Sequence, residues 1–362
     1  MRTGTATLPL HGGKAPAWLF QRMRLLAREI TLVVVSEFGP GEMLRRLSDP
    51  VWFQAFGCVL GFDWHSSGVT TTVCGALKDG LAGLEHESGL VFAGGKGGTS
   101  RKTPSELREA GERVLRCDPE PLVYASKMAA KVDSSGLQDG YQIYHHSFMT
   151  TLDGRWAVVQ QGMRDADGTA RRYHWLGEGV SDFVVEPHAA VAAEASPSAE
   201  VLNLVATESG GARDVVARVA RETPEHVAAQ LARLKSLRLP RHHEVRLADI
   251  RPENLEKAFL ATYERQPAGF EELLAVPGVG PKTVRALTLI SELVYDAPAS
   301  RRDPAVFSYA HGGKDGYPYP VDRATYDRDI GILHDALGAA KVGRSEKLDA
   351  FKRLSRLERA AG

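Results

Sequence analysis

Cysteine is scarce in this chain of 362 residues: Cys58, Cys74 and Cys117 are widely spaced and none sits in a CxxC. That excludes a disulfide framework and a structural zinc site, leaves too few thiolates for a four-cysteine iron–sulfur cluster, and fits a reducing cytoplasm. An excess of either charge is also lacking, since 45 Lys and Arg balance 45 Asp and Glu. A large non-specific nucleic-acid footprint needs a basic excess, so any basic face must be local. Long apolar runs are missing too. The longest aliphatic one, Ile30–Val35, is broken by Thr31, and no signal-peptide h-region stands at the start. Neither a membrane span nor export is expected, and the cytoplasm is the expected location. The chain has no internal repeat.

What is present is an ordinary globular composition, 43% hydrophobic and 25% charged, long enough for two or three domains. The patterning predicts an α+β protein. Residues 1–187 read as a mixed α/β domain with a β-meander, 188–200 as an Ala-rich linker containing Ser-Pro-Ser, and 201–362 as an all-α domain. The meander is the clearest local structure of the first half. Tyr141–Leu152 and Arg155–Met163 flank Asp153-Gly154, a pair suited to a type I′ turn, and Arg171–Leu176 returns after Asp167-Gly168. Earlier, Thr5–Leu10 suggests a strand and Trp18–Glu29 an amphipathic helix. Ile30–Val35 suits a buried strand or a continuation of that helix, and Gly68–Leu77 carries β-branched residues in a row.

The most informative stretch is Leu274-Ala275-Val276-Pro277-Gly278-Val279-Gly280-Pro281-Lys282-Thr283. Phe270, Leu273 and Leu274 precede it as a helical ridge, and Val284, Leu287, Ile290 and Val294 follow on one face of a second helix. Gly278 and Gly280 permit a tight turn and close approach of another molecule. Pro281 suits the first helical position, and the free N–H groups of a helix start suit a phosphate. The span 268–295 resembles the helix–hairpin–helix motif of DNA-repair proteins. The resemblance implies contact with DNA phosphates by Gly278, Val279, Gly280, Lys282 and Thr283, largely without reading sequence.

A second stretch, Pro320-Val321-Asp322-Arg323, opens another helix pattern. Together with the hairpin it is similar to the helix–hairpin–helix DNA glycosylases. The resemblance implies a catalytic aspartate at Asp322 and, in the glycosylase/lyase members, a Schiff-base lysine at Lys282. His311, Lys314 and Arg323 are placed by it on the DNA. The step of 40 residues from Lys282 to Asp322 is about twice the usual spacing of that superfamily, and its Thr-His after the aspartate is Arg323-Ala324 here. Taken whole, the chain resembles a prokaryotic family known as a domain of unknown function.

The first half offers two further candidates. The Gly-rich run Phe92–Pro104 carries Lys96, Arg101 and Lys102, and reads equally as a phosphate-gripping loop or a mobile surface loop. Asp133, Asp139 and His145 could gather at one sheet end and hold Mg²⁺ or Mn²⁺, as nuclease sites do, or serve as turn aspartates and a strand histidine. The expected function is thus a DNA-binding enzyme of DNA repair or processing. A metal-dependent nuclease ranks first and a glycosylase/lyase second, with a non-enzymatic DNA-binding scaffold as the contrast. DNA is the expected partner.

Overall fold

The computed structural model describes residues 17–62, 68–165, 168–193, 201–235 and 252–305, with single positions 335, 338, 348, 350 and 352 beyond them. The architecture is mixed α and β, and its sheets are antiparallel. The main sheet has the order β1 (Leu90–Lys96), β3 (Gln142–Thr151), β4 (Trp156–Arg164), β5 (Thr169–Leu176) and β6 (Ala190–Ala192). A second, two-stranded sheet pairs β2 (Leu137–Gln138) with β7 (Leu202–Asn203).

Both faces of the main sheet are covered, which is why its central strands are buried almost throughout. One face carries α1 (Ala17–Phe38), α2 (Pro40–Ser48), α3 (Pro50–Leu60) and α4 (Gly68–Leu81), and the short α5 (Glu85–Ser88) leads into β1. Their core joins Met23, Ile30, Trp52, Phe53 and Leu77 to Met149, Ala157 and Val159 of the sheet. Burying each such aromatic or aliphatic side chain contributes about 1.5–3 kcal/mol. The opposite face carries α6 (Thr103–Arg113) and α7 (Glu120–Lys131). It also carries α8 (Gly210–Val219), α9 (Pro224–Lys235), α10 (Pro252–Arg265), α11 (Phe270–Ala275) and α12 (Pro281–Tyr295). Strand alternation divides the residues: Val158 and Tyr173 face this second layer, while Val159 points to the first.

Local chemistry explains the element boundaries. Asp49 Oδ1 accepts the N–H groups of Val51 (2.7 Å) and Trp52 (3.1 Å), and Pro50 follows it, so α3 starts there. The β-branched run Val69–Val73 is helical rather than extended. Val69 and Val73 are buried against the first layer, and the Thr71 and Thr72 hydroxyls bond the carbonyl of Gly68. Ile30–Val35 continues α1, one of the two forms its sequence allowed.

The meander stands at the expected place, with a different first turn. Asp153 lacks the positive φ that type I′ demands, and only Gly154 has it (+94°). Gly154 N–H bonds the Thr151 carbonyl and Thr151 N–H the Arg155 carbonyl. This is the three-residue loop with glycine in the left-handed region.

The expected linker and division also change. Residues 190–192 form a buried edge strand on β5, because small side chains let the chain lie close against Arg172–His174. A single hydrophobic cluster runs from Ala93 through Val191 and Val201 to Ala299, so the core is continuous across positions 187 and 201. The later half is not purely helical either, since Leu202–Asn203 pairs with β2 and Asn203 bridges Ser300. The strand expected at Thr5–Leu10 and the residues 194–200 lie outside the described residues. No described helix is long and apolar enough to cross a membrane.

Candidate nucleic-acid interface

The stretch Leu274–Thr283 folds as a short helix, a hairpin and a longer helix. Val276 and Val279 are buried and fasten the hairpin to the core, while Pro277 and Gly278 are exposed at its tip. Gly278 has φ +89°. Gly280 caps α12 in extended backbone (φ −143°), Pro281 follows, and the first helical bond runs from Val284 N–H to Gly280 C=O (3.0 Å). A Cβ at Gly278 or Gly280 meets nothing within 4 Å, so space outside both is open. Lys282 is exposed at the helix start. No acidic residue occurs between Glu272 and Glu292.

The hairpin is held from behind. Lys131 Nζ donates to the Val279 carbonyl (2.5 Å), Gln138 Nε2 donates to the Pro281 carbonyl (2.9 Å), and Arg285 Nε donates to Gln138 Oε1 (2.8 Å). Half-burial lowers the Lys131 ammonium from its ordinary value. Two residues expected on DNA point inward instead. Thr283 and Val279 are 2% and 1% exposed, because their spacing puts them on the core face of the hairpin. Val294, expected on the apolar face of α12, is 48% exposed, since ten residues carry it past the stripe of Val284, Leu287 and Ile290.

Lys96, exposed, ends β1, and Arg101 and Lys102 are exposed on the 3₁₀ turn Gly97–Lys102 that follows it. The turn is pinned by Ser100 Oγ to the Gly97 carbonyl (2.6 Å) and Thr103 Oγ1 to the Ser100 carbonyl (2.7 Å). His311, Lys314, Asp322 and Arg323 lie outside the described residues.

Asp133, Asp139 and His145 do not converge. Asp133 and Asp139 lie with the second helical layer. Asp133 accepts from His188 Nε2 (2.5 Å), Trp175 Nε1 (2.9 Å) and Gln160 Nε2. Burial raises its carboxyl above the ordinary value, against the pull of His188 and Trp175. Asp139 accepts from Arg171 Nη1 (2.8 Å), Tyr173 Oη (2.7 Å) and Tyr141 N–H (3.1 Å). Arg171 also reaches Asp303 (2.8 Å). Burial pulls the Arg171 guanidinium down, but the two carboxylates outweigh it and raise it.

His145 instead shares the other face with Ser147, whose hydroxyl lies 3.2 Å from its Nε2. It is pushed down to about 3, chiefly by burial and then by His146, Lys96 and Arg172. The strand alternation that turns His146 toward Ser126 and Gln160 turns His145 away from them. Among the described residues no three His, Cys, Asp or Glu side chains are grouped to hold a metal ion.

Around the two aspartates stand Arg171, Tyr173, Trp175, His188, Gln160 and Asp303. The period-two alternation of β5 aligned the first three, whereas His188 sat in a stretch that reads as linker.

No curated protein and no solved structure matches the chain. A family model spans residues 4–321, nearly the full length, and the chain therefore belongs to the family described as protein of unknown function (DUF763).

Proposed function

We propose that this protein binds DNA in DNA repair or processing, with the hairpin 276–282 clamping a phosphate of the backbone. The observation that carries the reading is Gly280. Its extended backbone suits any residue and its surroundings are empty. The missing side chain leaves the start of α12 open to an approaching anion. Lys282 adds an exposed cation beside it, and Lys96, Arg101 and Lys102 offer a second cationic patch.

The test is anisotropy of labelled duplex over a salt series. Gly280→Leu should weaken binding to all sequences alike without changing the melting temperature. Lys282→Ala should lower the salt slope by about 0.9 if one phosphate contact is lost. Unchanged affinity in both variants removes the hairpin from the interface.

The glycosylase/lyase alternative needs the Lys282 amine at a sugar carbon faced by Asp322. Borohydride trapping on abasic DNA, lost in Lys282→Ala, supports it, since only a primary amine forms the reducible imine. Cleavage that requires Mg²⁺ or Mn²⁺ supports a nuclease, with ligands other than the trio Asp133, Asp139 and His145. Binding without either reaction supports the scaffold.

A further inference from the structure

A pocket of about 650 Å³ opens beside the hairpin element, between the start of α7, the start of β4 and residues 177–183. Its volume is that of a small-ligand site. Three aromatic rings form it. Trp156 stacks on Phe183 (6.1 Å between centroids, 3° between planes), and Tyr124 meets Phe183 edge-on at 5.7 Å. Tyr124 is 41% exposed, and its hydroxyl donates to Glu271 Oε1 (2.5 Å) on α11, so the ring is held in place by the element that carries the hairpin. At the far rim, Asp118 accepts the Glu120 N–H (3.0 Å) and has no ion-pair partner among the described residues, while Arg108 occupies Glu120 with two bonds. Lys127 lines the pocket on the hairpin side.

Tyr124, Lys127 and Lys131 recur at i, i+3 and i+7, one face of α7. That face leads from the aromatic rings to the carbonyl of Val279 at the hairpin. Seven helical residues span about 10 Å, the rise of about three stacked nucleotides. The exposed Tyr124 ring, a carboxylate acceptor at one end and an ammonium at the other match a base ring, its exocyclic amino group and a neighbouring phosphate. The ring stacks, its exocyclic amino group donates to a carboxylate, and its phosphate meets a cation.

We propose that this pocket takes the base of an unpaired nucleotide bearing an exocyclic amino group, its backbone running along Lys127 toward the hairpin. The inference rests on the DNA-binding reading and narrows its substrate to DNA with unpaired bases beside the clamped segment.

The test uses the full chain, a blunt duplex and the same duplex with three-nucleotide overhangs of dC or dT. The dC overhang should raise affinity about ten-fold over blunt DNA, as expected for stacking one base, and more than the dT overhang. Tyr124→Ala, at an exposed position, should remove that gain and leave blunt binding unchanged. Asp118→Asn, which keeps an acceptor for the Glu120 N–H, should make dC and dT equal. Equal affinity for blunt and overhanging DNA, or a gain that survives Tyr124→Ala, overturns the proposal and leaves the hairpin clamp standing. Binding to none of the DNAs overturns both. Tyr124-dependent binding of an arginine-rich peptide with no overhang preference assigns the pocket to a basic protein partner instead.

Discussion

Acidification should destabilise this protein, and His145 gives the size of the effect. The folded state keeps its buried imidazole neutral down to about 3, while the unfolded chain takes up a proton near the ordinary value of 6.5. Below that value the unfolded state therefore binds the extra proton, and stability falls as pH drops. Moving from about pH 7.5 to about pH 5 removes about 2 kcal/mol through His145 alone. His174 and His146 are also lowered, chiefly by burial, and act in the same direction. Asp133, raised chiefly by burial, works oppositely, since the folded state takes up its proton first, and so offsets part of the loss. Urea unfolding followed by circular dichroism at the two pH values measures the change. His145→Gln should shrink the pH-dependent loss by about 2 kcal/mol. The loss should be the same with and without a chelator, because His145 stands apart from both aspartates. A flat pH profile, or a variant that keeps the full loss, refutes this account of the buried histidine.

Four other outcomes are expected. Arg171→Met leaves buried Asp139 and half-buried Asp303 without their shared cation and should cost roughly 3–5 kcal/mol in urea unfolding. Asp133→Ala orphans the Trp175 and His188 donors and takes from Gln160 one of its two acceptors, so any activity it removes should disappear together with thermal stability, measured by calorimetry on the same sample. Gly94→Ala places a Cβ 2.3 Å from the His146 carbonyl oxygen at a φ of +84°, and should lower the melting temperature more than Gly280→Leu, whose site is empty. Reversing Arg101 and Lys102 to glutamate should weaken duplex binding at low salt and leave unfolding by urea unchanged, since both are exposed.

The parts legible in the sequence were those fixed by local rules. The hairpin was readable because Gly278 permits the positive φ of its turn and Pro281 fixes a helix start before any packing, and the meander because glycines mark its turns. What escaped depended on neighbours far along the chain. Val69–Val73 has strand-like side chains, yet packing on α1 makes it helical. Ala190–Ala192 looks like spacer, yet small residues are what a crowded sheet edge accepts. Asp133 and His188 are 55 residues apart and meet only because β6 returns to β5. Periodicity identified Thr283 as a helix-start residue without telling its inward face from its outward one.

Helix α12 is fastened beyond both its ends. Lys131 and Gln138 hold its approach, and the chain leaving it is tied by Arg301 to Glu292, by Ser300 to Asn203 and by Asp303 to Arg171. It behaves as a strut, and the hairpin tip is a fixed point on it. A strut has no slack to remove when something docks, so association at the tip forfeits little chain entropy. Calorimetry would then register heat-capacity change from contact surface alone, without the added signal of a segment that folds as it binds. On the proposed DNA clamp, the same stiffness would make the tip selective by shape: a backbone whose phosphate arrived displaced would itself have to bend.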